Sequence, residues 1–188
     1  MLVQRTIRTP LIMLLMALGS TAVMADEEAL KMEARQQVKA FAGDLKATLQ
    51  SGMKAGGPTT ALPLCNTDAP QIKAKHSQGD WLVGRTSLKV RNPNNAPDAW
   101  EQSVLQDFDK RLAAGEDPAK MEALKVEDGD VRYMKAIPAG GMCMNCHGQN
   151  LTSAVSSRLA ELYPEDQAVG YMPGQIRGAF SLRKPVRF

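Results

Sequence analysis

The chain has 188 residues and is close to electrical neutrality, with 23 basic and 20 acidic residues. Two of the basic residues, Arg5 and Arg8, lie in an N-terminal segment that resembles an export signal, so the remainder carries 21 basic and 20 acidic residues. This balance argues against a nucleic-acid-binding protein. The 163 residues that follow this segment suffice for one domain with a core of its own.

Residues 1–25 have the organisation of a removable secretory signal. Two arginines begin it, residues 11–18 form a short apolar run, and Val23-Met24-Ala25 offers small residues for cleavage. The apolar run is too short to predict a membrane span, although an uncleaved anchor stays open as an alternative. We therefore expect cleavage after Ala25 and a soluble periplasmic domain over residues 26–188, without a membrane span.

The first half of this domain predicts two helices, an extended run and a strand. Apolar residues recur at steps of three and four between residues 27 and 53, which predicts an amphipathic helix. Residues 61–65 form a short extended run, and Asp68-Ala69-Pro70 has the composition of a helix start leading to His76. Residues 81–90 predict a strand, with these inward positions: Trp81, Val83, Thr86, Leu88 and Val90.

The second half predicts helices over residues 98–114 and 153–162, and strands over residues 121–127, 131–137 and 176–182. The sequence Asp128-Gly129-Asp130 between two of these strands is typical of a hairpin turn. Helices combined with a mainly antiparallel sheet predict the α+β class.

The run Cys143-Met144-Asn145-Cys146-His147 has the C-x-x-C-H spacing of covalent haem attachment. Two intervening residues let one turn of chain present both thiols to the vinyl groups of a porphyrin, and the adjacent histidine binds iron. A redox dithiol and half of a zinc site are alternative interpretations of the two cysteines. The histidine and the predicted export signal favour one covalent haem c, held by Cys143, Cys146 and His147.

Cys65 is the one cysteine outside this motif. Three roles stay open for it: a small buried side chain, an intermolecular disulfide or a second ligand to iron. His76 competes as a ligand, although a histidine near lysines on a helix is more often solvated. A zinc site made of Cys65, His76 and the two motif cysteines would leave His147 unused. Further ligand candidates, each more often a core residue, are Met134, Met142, Met144 and Met172.

Four stretches together resemble a known family: residues 63–65, 81–98, 143–148 and 163–179. This family comprises bacterial periplasmic c-type haem domains with a PAS-like fold, long labelled a domain of unknown function. The resemblance covers most of the chain after the signal and is more specific than C-x-x-C-H alone. It implies a PAS-like antiparallel sheet flanked by helices, with one covalently attached haem.

The resemblance also implies a pair of axial ligands. In a cyanobacterial member the iron ligands are histidine and cysteine, a pattern that maps here onto His147 and Cys65. Arg85, Arg91 and Arg177 lie in the resembling stretches, and a guanidinium fork matches the carboxylates of haem propionates. Ion pairs within the protein, or a solvent-facing strand, would explain the same arginines.

Family members occur alone or as the sensing part of receptor kinases and chemoreceptors. The receptor role does not carry over directly, but Cys65 ligation would favour a redox or small-ligand sensor with His/Cys ligation, or a redox partner within a periplasmic system. An electron-transfer cytochrome is the alternative, with stable His/Met or His/His ligation. An enzyme is least favoured: no Ser-His-Asp set or phosphate loop is evident, and for a haem peroxidase His76 would have to supply the distal acid–base group.

Overall fold

The computed structural model describes residues 12–185, with side chains from residue 26 onward. Residues 1–11 of the predicted signal lie outside the described residues, and Ala25 lies within the first helix. Between residues 12 and 185, no helix is long and apolar enough to cross a membrane. The helices are α1 (Ile12–Gly56), α2 (Pro58–His76), α3 (Ala99–Ala113), α4 (Met144–His147) and α5 (Ser153–Leu162). The strands are β1 (Leu82–Thr86), β2 (Glu122–Glu127), β3 (Asp130–Pro138) and β4 (Ile176–Lys184), and short 3-10 turns lie at Pro93–Asn95 and Gly141–Cys143.

The four strands form one antiparallel sheet in the order β1-β4-β3-β2. The turn between β2 and β3 places Asp128 and Gly129 at φ angles of 50° and 81°, as a two-residue hairpin requires. The predicted hairpin is confirmed, and so is the helix after Asp98, which begins with a capping box between Asp98 and Glu101. These elements confirm the α+β class.

Helices cover both faces of the sheet, because successive β3 residues such as Tyr133 and Met134 point to opposite sides. The buried cluster on the α1 side contains Ala34, Val38, Phe41, Trp81, Val83, Val131, Tyr133 and Leu182. The buried cluster on the α3 side contains Val104, Leu105, Phe108, Met121, Met134, Ala136, Ile176 and Ala179. The sheet is therefore a framework with an apolar core on each face.

Helix α2 contradicts the sequence prediction. An extended run was expected at residues 61–65 and a helix start at residues 68–70, but one helix runs through both, with Pro63 and Pro70 inside it. The extended run is wrong and the helix begins earlier than predicted, because tertiary packing outweighs the local preference of proline, whereas the predicted helix leading to His76 is confirmed. Ala61 and Leu62 are buried, and α2 packs against α1 and α5.

Two glycines allow α1 and α2 to form a tight helical hairpin. Gly57 makes the reversal with a φ angle of 77°, which favours glycine, and Pro58 then starts α2. A Cβ atom on Gly52 would lie 2.7 Å from the Cα atom of Ala61. The close contact fixes the position of α2, and with it that of Cys65.

Strand β1 is shorter than the strand predicted at residues 81–90. Trp81, Val83 and Thr86 are buried as expected, but Leu88 is 40% exposed. The chain leaves the sheet at Ser87, whose hydroxyl oxygen accepts a hydrogen bond from the Lys89 amide at 3.2 Å. The bend ends the strand there.

Candidate haem site

The C-x-x-C-H motif forms a compact helical turn. The 3-10 turn Gly141–Cys143 leads directly into α4, which ends at His147. Cys143 and Cys146 are both free and half-buried, and residues three apart lie on the same face of a helical turn. A Cβ atom on Gly148 would lie 2.6 Å from the Met144 carbonyl oxygen, so glycine is needed where the motif ends. The two sulfurs can therefore reach one edge of a planar group.

A second segment fastens this turn to the domain. The Tyr171 amide donates to the His147 carbonyl oxygen at 2.9 Å, and the Gly170 amide donates to the Gly148 carbonyl oxygen at 3.1 Å. These two bonds make a short parallel bridge between Gly148 and Tyr171. The motif is thereby held against residues 166–171, which follow α5.

The tautomer of His147 is set by a backbone carbonyl. Its Nδ1 atom lies 2.7 Å from the Ala168 carbonyl oxygen, which can only accept, so Nδ1 carries the proton and Nε2 has the free lone pair. Burial, together with the charges of Arg177 and Arg91, lowers the pKa of His147 to about 2. His147 is therefore a neutral imidazole, the form that binds a metal.

Arg177 lies beside the same imidazole. Its Nε atom is 3.1 Å from Nδ1 and 3.4 Å from Nε2 of His147, and only Nε2 can accept when Nδ1 is protonated. Its guanidinium lies 5.5 Å from the ring centroid of Tyr171, and Nη1 donates to the Ser87 hydroxyl at 3.1 Å. Arg177 would have to release Nε2 for an iron atom to bind there.

Arg91 binds the backbone of the motif. It pairs with Asp166 at 3.0 Å and donates to the carbonyl oxygens of Cys146 at 2.5 Å and Ala168 at 3.2 Å. The sequence suggested propionate binding for Arg91, or an ion pair within the protein. In this structure its Nε and Nη2 atoms are engaged by the chain itself, which fits the ion pair.

Cys65 lies on the side of α2 that faces the motif. Leu62, one helical turn earlier, is buried in a cluster with α5, and Cys146 packs against that cluster. The charge of Cys65 accordingly acts on Cys146 and on Tyr163, and burial followed by this charge raises the pKa of Tyr163 to about 12. Two residues 81 positions apart in sequence are thus neighbours in space.

Cys65 is open to solvent on one side only. The side chain is exposed, yet burial raises its pKa, while Arg85 and Arg91 act in the opposite direction. The exposure and the raised pKa are both expected for a side chain that protein surrounds on most sides but that water still reaches. The thiol form is therefore favoured here, and a metal ion bound at this sulfur would displace the proton.

Arg85 differs from the other two arginines. It lies on β1, and burial lowers its pKa, while Cys65 and Tyr163 act in the opposite direction. Among residues 26–185, no carboxylate forms an ion pair with Arg85. Its guanidinium is therefore free to bind an anionic group next to Cys65.

The other candidate ligands lie elsewhere or in the core. His76 bonds to Asp44 at 2.9 Å and lies 5.7 Å from the ring of Phe41. Met134 is completely buried in the cluster on the α3 side, whereas Met172 is 49% exposed. Within the described part of the chain, no group of three or more His, Cys, Asp or Glu side chains is arranged to hold a metal ion.

These residues fit a covalently attached haem. Two thiols on one helical turn match the two vinyl groups, and a neutral imidazole with an unprotonated Nε2 matches the iron once Arg177 releases it. Cys65 would supply a sulfur as the second donor to the iron, and Arg85 a cation for a propionate. The sequence missed the contribution of Ala168 because a backbone carbonyl leaves no trace in the residue type.

Comparisons with known proteins identify a family for this chain. A family model described as Tll0287-like matches residues 19–185. The structure is similar to the crystal structure of the cyanobacterial haem protein Tll0287, with a TM-score of 0.56 and 24% identity over 84% of this chain and 93% of that chain. At this identity the structural likeness shows the fold, and no curated protein matches the chain. The family match covers most of the sequence, and the chain belongs to the Tll0287-like family.

Proposed function

We propose that this chain is a c-type haem protein of PAS-like fold. Cys143 and Cys146 bind one haem covalently, and His147 and Cys65 are the axial ligands of its iron. Family membership supports haem binding, and the arrangement of sulfur and imidazole donors supports the covalent attachment and the ligand pair. Haem supplies an iron centre that changes oxidation state and takes up small ligands.

One observation supports the ligand assignment: α2, which carries Cys65, packs close to the C-x-x-C-H turn. Leu62 and Cys146 belong to one packed cluster, and the charge of Cys65 acts on Cys146. His76 is engaged with Asp44 instead. Cys65 is therefore the donor best placed to act opposite His147.

The two ligand side chains are held in different ways. His147 is fixed by the Ala168 carbonyl and by the bridge between Gly148 and Tyr171, so its orientation is rigid. Cys65 belongs to a separate helix and is open to solvent. A ligand held by packing and exposed to solvent is the one that an oxidant or a small molecule can replace.

This asymmetry favours a redox or small-ligand sensor over an electron carrier. A carrier needs both ligands to stay in place as the iron changes oxidation state, whereas a sensor needs one that leaves. On this proposal His147 keeps the iron attached to the domain, and release of Cys65 is the signal. A periplasmic redox or signalling protein would receive it. Electron transfer remains the alternative function.

The proposed function also includes export of the chain from the cytoplasm. Residues 1–25 have the order of a secretory signal, and covalent attachment of haem to C-x-x-C-H chains takes place outside the bacterial cytoplasmic membrane. We propose a periplasmic protein cleaved after Ala25. The exported chain is expected to have the mass of residues 26–188 plus one haem, which is lower than that of the full chain plus one haem.

The ligand pair is tested by absorption and low-temperature EPR spectra of the haem-loaded protein. Wild type is expected to show low-spin signals with thiolate character, and Cys65→Ala is expected to lose them. His76→Ala is the matched control and should leave the spectrum unchanged. Identical spectra for wild type and Cys65→Ala would refute the cysteine ligand, and a change in His76→Ala would favour bis-histidine electron transfer.

A further inference from the structure

The carbonyl oxygen of Ala168 accepts hydrogen bonds from two different side chains. His147 Nδ1 lies 2.7 Å away and Arg91 Nη2 lies 3.2 Å away. Ala168 is completely buried, so water does not substitute readily for either donor. The two donors therefore share one acceptor, and each affects the bond made by the other.

Asp166 closes this arrangement into a ring. Its Oδ1 atom accepts from the Ala168 amide at 2.8 Å, and its Oδ2 atom pairs with Arg91 at 3.0 Å. The Arg91 and Asp166 side chains are only 10% and 8% exposed. Such a buried pair is expensive to desolvate, and apolar residues are often at least as stable in its place. The Arg91–Asp166 pair is therefore a candidate for a role other than stabilising the fold.

The ring also holds the haem motif itself. Arg91 Nη2 donates to the Cys146 carbonyl oxygen at 2.5 Å, one residue before His147. The guanidinium thus joins the motif to the 166–168 segment, where the partner of His147 lies. A lysine at this position could not make the same set of bonds, since its ammonium lacks the planar fork.

We propose that Arg91 and Asp166 are positioning residues that set the reduction potential of the iron through the Ala168 carbonyl. This inference rests on the proposed function, because it requires His147 to bind iron. A stronger bond from Nδ1–H to the carbonyl makes the imidazole a better electron donor at Nε2. Better donation stabilises oxidised iron and lowers the potential.

The two residues act in opposite directions. Arg91 donates to the same carbonyl oxygen as His147, and this competing hydrogen bond weakens the His147 bond, which raises the potential. Asp166 neutralises the guanidinium and so weakens the competing bond, which lowers the potential again. Loss of the Arg91 hydrogen bond should therefore lower the potential, and loss of the Asp166 charge should raise it.

Redox titration of the haem-loaded full chain tests this inference with three variants. Asp166→Asn is the main one, because its amide oxygen can still accept from the Ala168 amide. We expect its one-electron equilibrium to shift about tenfold toward the reduced form, which corresponds to about 59 mV. Arg91→Gln should shift the equilibrium the other way by a similar factor.

Arg91→Lys separates positioning from charge. It keeps the positive charge but not the fork, so positioning predicts a potential near that of Arg91→Gln, and a plain charge effect predicts one near wild type. The ¹⁵N and ¹H shifts of His147 Nδ1–H in the reduced protein provide a second measurement, and should change in all three variants. Arg158→Gln is the matched control, since Arg158 forms an exposed pair with Glu161 on α5.

The outcomes distinguish this inference from the proposed function. Intact mass and the low-spin spectrum of wild type are measured first, and failure to find haem or histidine ligation would refute both. Once haem and histidine ligation are established, one-electron equilibrium constants within about twofold of wild type in Asp166→Asn and Arg91→Gln would refute the inference alone. A wild-type potential in Arg91→Lys would do the same.

Discussion

The sheet framework and the haem motif region bury their side chains by different means. The framework has an apolar core on each face, in which Phe108 and Tyr133 are completely buried. Around His147 the buried groups are charged: Arg91 and Asp166 are about one-tenth exposed, and burial lowers the pKa of Arg177. One region is stabilised by loss of apolar surface from water, and the other by hydrogen bonds that offset desolvation.

Because of this difference, the domain could hold a reactive group without depending on that group for its own folding. Apolar packing on both faces of the sheet gives the framework its stability, whatever the state of the motif. The charged region contributes less net stability, because the desolvation of each charge opposes its pairing. It holds His147 in one orientation and leaves Cys65 and Arg85 available.

The largest effect on stability is expected in the framework. Phe108→Ala removes a completely buried ring from the α3 side and should lower the free energy of unfolding by about 3–5 kcal/mol. Denaturant unfolding of a Cys143→Ser/Cys146→Ser background measures this without attached haem. Met32→Ala is the control: Met32 is 51% exposed, so a change within about 0.5 kcal/mol is expected. Equal losses for both variants would contradict an apolar framework.

Within the charged region, two arginines should respond in opposite ways. Arg91→Met leaves Asp166 buried without its partner and should lower the free energy of unfolding by about 3 kcal/mol in the same background. Arg85→Met removes a cation that has no carboxylate partner among residues 26–185. The free energy of unfolding of this variant should be unchanged, or higher by at most about 1 kcal/mol. A large loss for Arg85→Met would mean that Arg85 serves the fold.

The smallest effect is a pH dependence at the edge of the framework. Glu122 accepts from Arg35 and from Tyr133, and the pKa of its carboxyl is lowered by Arg35, with burial opposing and Tyr133 assisting. A lowered folded-state pKa means that this stability is present above the unfolded value of about 4.3 and is lost as pH falls through the folded value. Because Arg35 is 41% exposed, Glu122→Gln should cost only about 0.5–1 kcal/mol at pH 7.

Unfolding measured from pH 7 to pH 3 checks this prediction. The difference between wild type and Glu122→Gln should disappear at the acidic end, and Arg35→Gln should remove most of the same pH dependence. A difference that persists unchanged at pH 3 would assign the effect to packing instead of charge.

The framework could be predicted from sequence because its signals are local. Asp98 and Glu101 mark a helix start within one turn, and Asp128-Gly129 marks a hairpin through two adjacent residues. The C-x-x-C-H motif is local as well. The first half of helix α2 was missed because its prolines favour a break locally, while the packing of Leu62 against α5 involves residues distant in sequence.

The surroundings of the motif depend on distant partners, and sequence patterns do not identify them. Arg91 and Asp166 are 75 positions apart, and a single sequence gives no sign that they pair. The acceptor for His147 is a backbone oxygen on Ala168, which any residue type could supply. The arginines were identified as candidates, but only the structure separates the engaged Arg91 from the unpaired Arg85.

The central claim is covalent haem on Cys143 and Cys146, and intact mass under denaturing conditions tests it most directly. The full chain would be produced in cells able to attach c-type haem, beside Cys143→Ser/Cys146→Ser and Cys65→Ser. One added haem mass is expected on wild type and on Cys65→Ser, and none is expected on the double variant. Wild-type protein that loses all haem on denaturation, or a double variant that retains it, would contradict the account.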